Sequence, residues 1–129
     1  MADASYPEDL LYHAEHDWAR IDGDVATLGI TWYAQEALGE LVFFDLPEVG
    51  TSVIKDEPYA EVESVKAVSD VIAPLSGEIV EVNAALADSP ETINEDAYGA
   101  GWLVKVRLSD PAERDGLLSR ADYVATLTQ

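Results

Sequence analysis

The sequence predicts an α+β fold, mainly β, with its helices gathered at the C-terminal end. Three observations carry this. Asp22-Gly23 stands between two apolar runs, the strongest short hairpin signal. Trp102, Val104, Val106 and Leu108 alternate with Leu103, Lys105 and Arg107, the period of a half-buried strand. After residue 109 the character changes, with two helix-start patterns in close succession.

In chain order, Trp18–Ile21 and Val25–Ile30 form the first hairpin. Thr31 caps a short helix through Leu38, and Gly39 ends it. Leu41–Leu46 is a β-rich run closed by Pro47. Tyr59–Val65, Ala67–Ala73 and Glu78–Val82 follow as strands, the last two separated by Pro74-Leu75-Ser76-Gly77. Residues 83–101 read as loop with a helical turn at Asn83–Ala87, and Trp102–Leu108 is the last strand. Asp110, Pro111 and Glu113 make a capping-box pattern with Pro at the first helical position. Ser119 with Asp122 gives a second start, so helices are expected over 111–118 and 120–127. No Pro/Gly/Ser linker divides the 129 residues; they read as one domain, 1–129, with a helical segment over about 110–128.

Composition narrows the function. Twenty-six acids against 7 bases give a net charge of −19. Nucleic-acid phosphates and anionic lipid would repel such a chain, so neither partner is expected. Zero cysteines exclude disulfides, thiolate metal sites and a cysteine nucleophile. Met1–Ser5 is neither basic nor apolar, unlike a signal or transit peptide. His13 and His16, with Glu15 and Asp17, have helical metal-ligand spacing, but read better as polar residues leading into the Trp18 strand, so no metal is expected. No phosphate-cradling loop and no Gly-x-Ser-x-Gly elbow is present, and no acid pair stands out. A catalytic site of the chain's own is not expected.

Lysine is scarce. Lys105 occupies a polar position of an alternating strand, and Lys55 lies beside Asp56 and Glu57 in a turn. Lys66 stands between two strand runs of similar length in Glu63-Ser64-Val65-Lys66-Ala67-Val68-Ser69-Asp70. Two readings stay open from the residues alone: the tip of a tight hairpin, or an exposed position in one long strand. Val-Lys-Ala lacks the Gly or Asn that primed turns prefer.

This octapeptide, followed by Pro74-Leu75-Ser76-Gly77-Glu78-Ile79, resembles the lipoyl-attachment segment of the glycine cleavage H-protein family. His16-Asp17-Trp18, Val25–Thr31, Tyr33-Ala34-Gln35, Leu38-Gly39-Glu40, Leu46–Gly50, Glu81-Val82-Asn83 and Asn94–Trp102 continue the resemblance in order. The chain departs from the family pattern at Asp17 (usually Glu), Trp32 (usually Asp) and Ala97 (usually Pro). The resemblance implies a lipoyl-domain-like hybrid barrel-sandwich: two small antiparallel sheets with short C-terminal helices. It implies lipoic acid joined by an amide to Lys66, with Glu63 as a recognition feature for a lipoate-attaching enzyme. It places Asp17 and Asp70 beside the parked, loaded arm.

It further implies a carrier that is not itself an enzyme, serving three partners. Glycine decarboxylase (P protein) loads an aminomethyl group, aminomethyltransferase (T protein) passes its carbon to tetrahydrofolate, and dihydrolipoyl dehydrogenase (L protein) reoxidises the dithiol. A monomer in a bacterial cytoplasm or a mitochondrial matrix fits this role. Three rivals remain at this stage: a paralogous lipoyl relay carrier, a biotin carrier, and an unmodified interaction domain. Biotin carriers usually flank the modified Lys with Met, whereas Val65 and Ala67 stand here.

Overall fold

The computed structural model describes residues 6–45 and 47–127. The expectations about Met1–Ser5, Leu46 as a strand end and residue 128 as helical lie outside the described residues.

Among the described residues, nine strands form two antiparallel sheets. They are β1 (Leu11–His13), β2 (Asp17–Asp22), β3 (Val25–Ile30), β4 (Leu41–Asp45), β5 (Ser52–Val53), β6 (Pro58–Ser64), β7 (Val68–Ile72), β8 (Gly77–Val82) and β9 (Val104–Leu108). The larger sheet has the order β1-β2-β3-β9-β8-β5, and the smaller has β4-β6-β7. Among the described residues, three helices, α1 (Trp32–Leu38), α2 (Thr92–Glu95) and α3 (Arg120–Leu127), join 3-10 turns at Ala84–Ala87 and Pro111–Gly116. This is the arrangement of two small antiparallel sheets expected above. No helix among the described residues is long and apolar enough to cross a membrane.

The local signals act as read. Gly23, at φ 66°, turns β2 into β3, pairing Asp22 with Val25. Thr31 Oγ1 accepts from Ala34 N at 3.2 Å at the start of α1, and Gly39, at φ 84°, ends it. Ser119 Oγ accepts from Asp122 N at 3.2 Å at the start of α3.

Five elements differ from expectation. Strands β1 and β5 were not expected, because three and two residues are too short to show a period; β1 is held by Tyr12, which exchanges backbone bonds of 2.8 and 2.7 Å with Leu118. The loop over 83–101 contains α2 as well as the anticipated turn, anchored by fully buried Ile93. The expected helix over 111–118 is a 3-10 helix over Pro111–Gly116, and Asp110 makes no side-chain cap. Glu113 instead reaches another element, its carboxylate accepting from Ser76 N at 2.7 Å and Ser76 Oγ at 2.9 Å. The last strand begins at Val104, so Leu103 escapes the alternation: it is fully buried, and its backbone joins Leu28 and Asn83.

The main core lies between the sheets, built from residues such as Leu28, Phe44, Val62, Leu75, Ile79 and Val106. An aromatic cluster of Tyr6, Tyr12, Trp18 and Tyr123 joins the first strands to α3. Trp18 packs flat against Gly29, where any Cβ would sit 2.5 Å from the indole ring. Its Nε1 donates to the carbonyl of buried Ala97 at 3.0 Å, so Ala suffices where the family pattern has Pro.

Candidate functional site

Strands β6 and β7 are the two arms of a hairpin, pairing Glu63 with Val68. That resolves the choice left open above: Lys66 is at the tip, and there is no single long strand. The turn works without Gly or Asn because Ser64 supplies the missing acceptor. Its Oγ accepts from Lys66 N at 3.2 Å and Ala67 N at 3.0 Å, while Ser64 N donates to Ala67 O at 2.8 Å. Val65 N donates to Glu40 O at 3.0 Å, tying the tip to the chain that enters β4.

Lys66 is exposed and has no ion-pair partner among the described residues, unlike the other two lysines. Lys55 Nζ lies 3.4 Å from Asp56 Oδ2. Lys105 Nζ lies 3.9 Å from Glu81 and 5.3 Å from the centre of the Trp102 ring. Val65 and Val68 beside Lys66 are 68% and 59% exposed, although both are apolar. Two exposed apolar side chains thus flank the Lys66 amine. Glu63 is on the opposite face from buried Val62 and Ser64, in a cross-strand row with Phe43 and Val68.

A cavity of about 250 Å³ opens beside this hairpin, between β2, α1 and the small sheet. Ile30, Ala34, Leu38, Val62 and Val71 give it an apolar wall, and Glu15, Asp17 and Asp70 give it acids. The structure therefore brings Asp17 and Asp70 to one cavity, but in different states. Asp70 is exposed on the outer face of β7, in register with Glu61. Asp17, at the start of β2, is 2% exposed, and its Oδ2 has no hydrogen-bond partner among the described residues. Burial, reinforced by the neighbouring Glu15 charge, raises the Asp17 pKa well above the ordinary carboxylate range.

The two histidines are parted by their partners. His13 Nε2 is 2.6 Å from Asp56 Oδ1, a bond that holds the Asp56 carboxyl below its usual range. His16 Nδ1 is 2.7 Å from the Tyr123 hydroxyl, which also lies 2.8 Å from Thr31 Oγ1. Burial lowers the His16 pKa. No group of three or more potential ligands gathers around a metal position among the described residues. Ser64 and Tyr123 are contributors that the sequence does not single out, whereas His16, noted there as a polar residue before the Trp18 strand, has Tyr123 as its partner. A Ser two residues before a turn lysine is a local signal for the first; a pairing across 107 positions has none.

The chain matches the family model described as Glycine cleavage H-protein over residues 10–129. It is 56% identical over 126 residues to a glycine cleavage system H protein of Rubrobacter xylanophilus, covering 98% of each chain. It is 52% identical over 122 residues to one of Symbiobacterium thermophilum, covering 95% of each. A crystal structure of a glycine cleavage system H protein from Mycobacterium marinum superimposes with a TM-score of 0.85 at 46% identity, covering 95% of this chain and 99% of that one. With the sheets, the hairpin and the cavity in place, these matches assign the chain to the glycine cleavage H-protein family.

Proposed function

We propose that this chain is the lipoyl carrier of a glycine cleavage system, a tethered substrate for partner enzymes, with no catalytic residue of its own. The observation that carries the reading is Lys66: an exposed amine without an ion pair, at a hairpin tip whose backbone is fixed by Ser64. Covalent lipoic acid fits this position, because the amine is free to form an amide and a cavity of about 250 Å³ lies alongside. When attached, the lipoyl group supplies the sulfur chemistry that a chain without cysteine lacks, carrying the aminomethyl group of glycine and then two electrons between enzymes.

The chain's own residues hold and shelter. Ser64 and the Val65–Glu40 bond fix the base of the tether, which confines its tip to a small volume and raises its effective concentration. Glu63 projects from the outer face three residues before Lys66, where a lipoate-attaching enzyme reads it. Asp17 and Asp70 offer oxygens to an ammonium group in the cavity, beside its apolar wall of Ile30, Leu38, Val62 and Val71. The partners in this reading are glycine decarboxylase, a tetrahydrofolate-dependent aminomethyltransferase and dihydrolipoyl dehydrogenase. One carrier domain over residues 1–129, acting as a monomer in the cytoplasm of a bacterial cell, completes the proposal.

Intact mass and peptide mapping after co-expression with a lipoate-attaching enzyme test it. The lipoyl mass is expected on the Lys66 peptide alone, and absent in Lys66→Arg, whose guanidinium cannot form the amide. Lipoyl mass on Lys55 or Lys105, or none on the wild-type chain, would overturn the assignment.

A further inference from the structure

Asp17 and Tyr59 carry the two buried side-chain oxygens that lack a hydrogen-bond partner among the described residues. They come from different sheets. Asp17 opens β2, whereas Tyr59 is the extra residue of a bulge in β6, where Pro58 pairs with Ile72 and Ala60 with Val71. The bulge re-aims the Tyr59 ring, which packs against the main core with its hydroxyl fully buried. The Asp17 charge contributes to a raised Tyr59 pKa, so the two groups sense one another across the sheets.

A buried carboxylate needs a cation or several donors, and without them it takes up a proton. On β1, His13 is the register partner of Asp17, but its Nε2 is already bonded to Asp56 Oδ1 at 2.6 Å. Glu15 and Asp70 on the cavity wall are acids, and Tyr33 on α1 and Tyr59 on β6 are phenols. His16 is committed to Tyr123 on α3, and burial lowers its pKa, which disfavours the charged form. No Lys or Arg among the described residues lines the cavity. We infer that Asp17 is a neutral acid while the cavity holds no cation, and that a primary ammonium group entering the cavity converts it to the carboxylate, releasing one proton to solvent. The exchange balances: R–NH3+ enters, the Asp17 O–H bond breaks, and an ammonium–carboxylate pair replaces the neutral acid. The same site therefore accepts an uncharged tip without an unpaired buried charge and a cationic tip without a net charge. This rests on the carrier reading for its natural ligand, but the protonation state does not depend on Lys66 being modified.

The test uses the unlipoylated full chain labelled with 13C at the aspartate carboxyl carbons and titrated by NMR, with Asp17 assigned through its backbone. Asp17 is expected to stay protonated at pH 6. Methylammonium chloride should lower the Asp17 midpoint by about one pH unit, a tenfold change, relative to sodium chloride at equal ionic strength. An Asp17 ionised at pH 6 without ligand overturns the inference, as does an equal midpoint in the two salts. Failure of the carrier reading would appear separately, as an unmodified Lys66 in the mass measurement.

Discussion

Asp17 makes the protein's stability depend on pH in an unusual direction. Its folded-state pKa is raised, so between the unfolded value of about 3.9 and that raised value the folded state binds more protons. Its contribution is fully present below the unfolded value and is lost as pH rises through the folded one. The slope reaches about 1.4 kcal/mol per pH unit in that window. Asp17→Asn removes the titration, and its urea midpoint should gain on wild type as pH rises from 4 towards 7. A constant difference across that range would contradict the assignment of a lone buried acid. At the hairpin tip, Ser64→Ala removes the acceptor of two backbone N–H groups and should cost about 1 kcal/mol of stability. Lys66 in that variant should be lipoylated more slowly than in wild type, because the tip loses its fixed shape.

The elements differ in how much of themselves they wrote into the chain. The β2–β3 hairpin and both capped helices, α1 and α3, were legible because their causes lie within four residues: Gly23, Thr31 with Gly39, and Ser119. The Asp110 pattern misled because Glu113, three residues on, bonds to Ser76 across 37 positions instead of back to its own helix start. Lys66 was legible as a lysine in an odd context, but its hairpin was not, since Ser64 replaces the usual turn residues with its own side chain. The cavity was invisible in outline: Asp17 could be singled out only by resemblance, and its burial depends on β6, which sequence spacing does not place against it. Within the small sheet, Asp45, Glu61 and Asp70 lie opposite one another in a single row. Like charges so placed repel, so Glu61→Gln should stabilise by about 0.5 kcal/mol at low salt, and less as salt is added. In the large sheet, a Cβ at Gly77 would lie 2.1 Å from the Arg107 carbonyl oxygen. Gly77→Ala should therefore part β8 from β9 locally and cost about 3 kcal/mol, read as a lowered urea midpoint.

At the scale of the whole molecule, a net charge of −19 works against compaction. The core between the sheets supplies the opposing force without any help from an attached group, because it is filled by the chain's own residues. Far-UV circular dichroism of the unlipoylated and lipoylated forms should superimpose; an unfolded unlipoylated chain would contradict this. The order of strands also sets a timetable. Strand β9 lies between β3 and β8, so the large sheet stays in two pieces until residue 108 has been synthesised. Tyr123, which braces His16 beside the cavity, is translated 57 residues after Lys66. At ribosomal speeds of 5–20 residues per second that is a delay of about 3–11 s. The nascent chain thus exposes Lys66 before the cavity beside it is complete, and on the carrier reading only the finished protein can shelter a loaded arm.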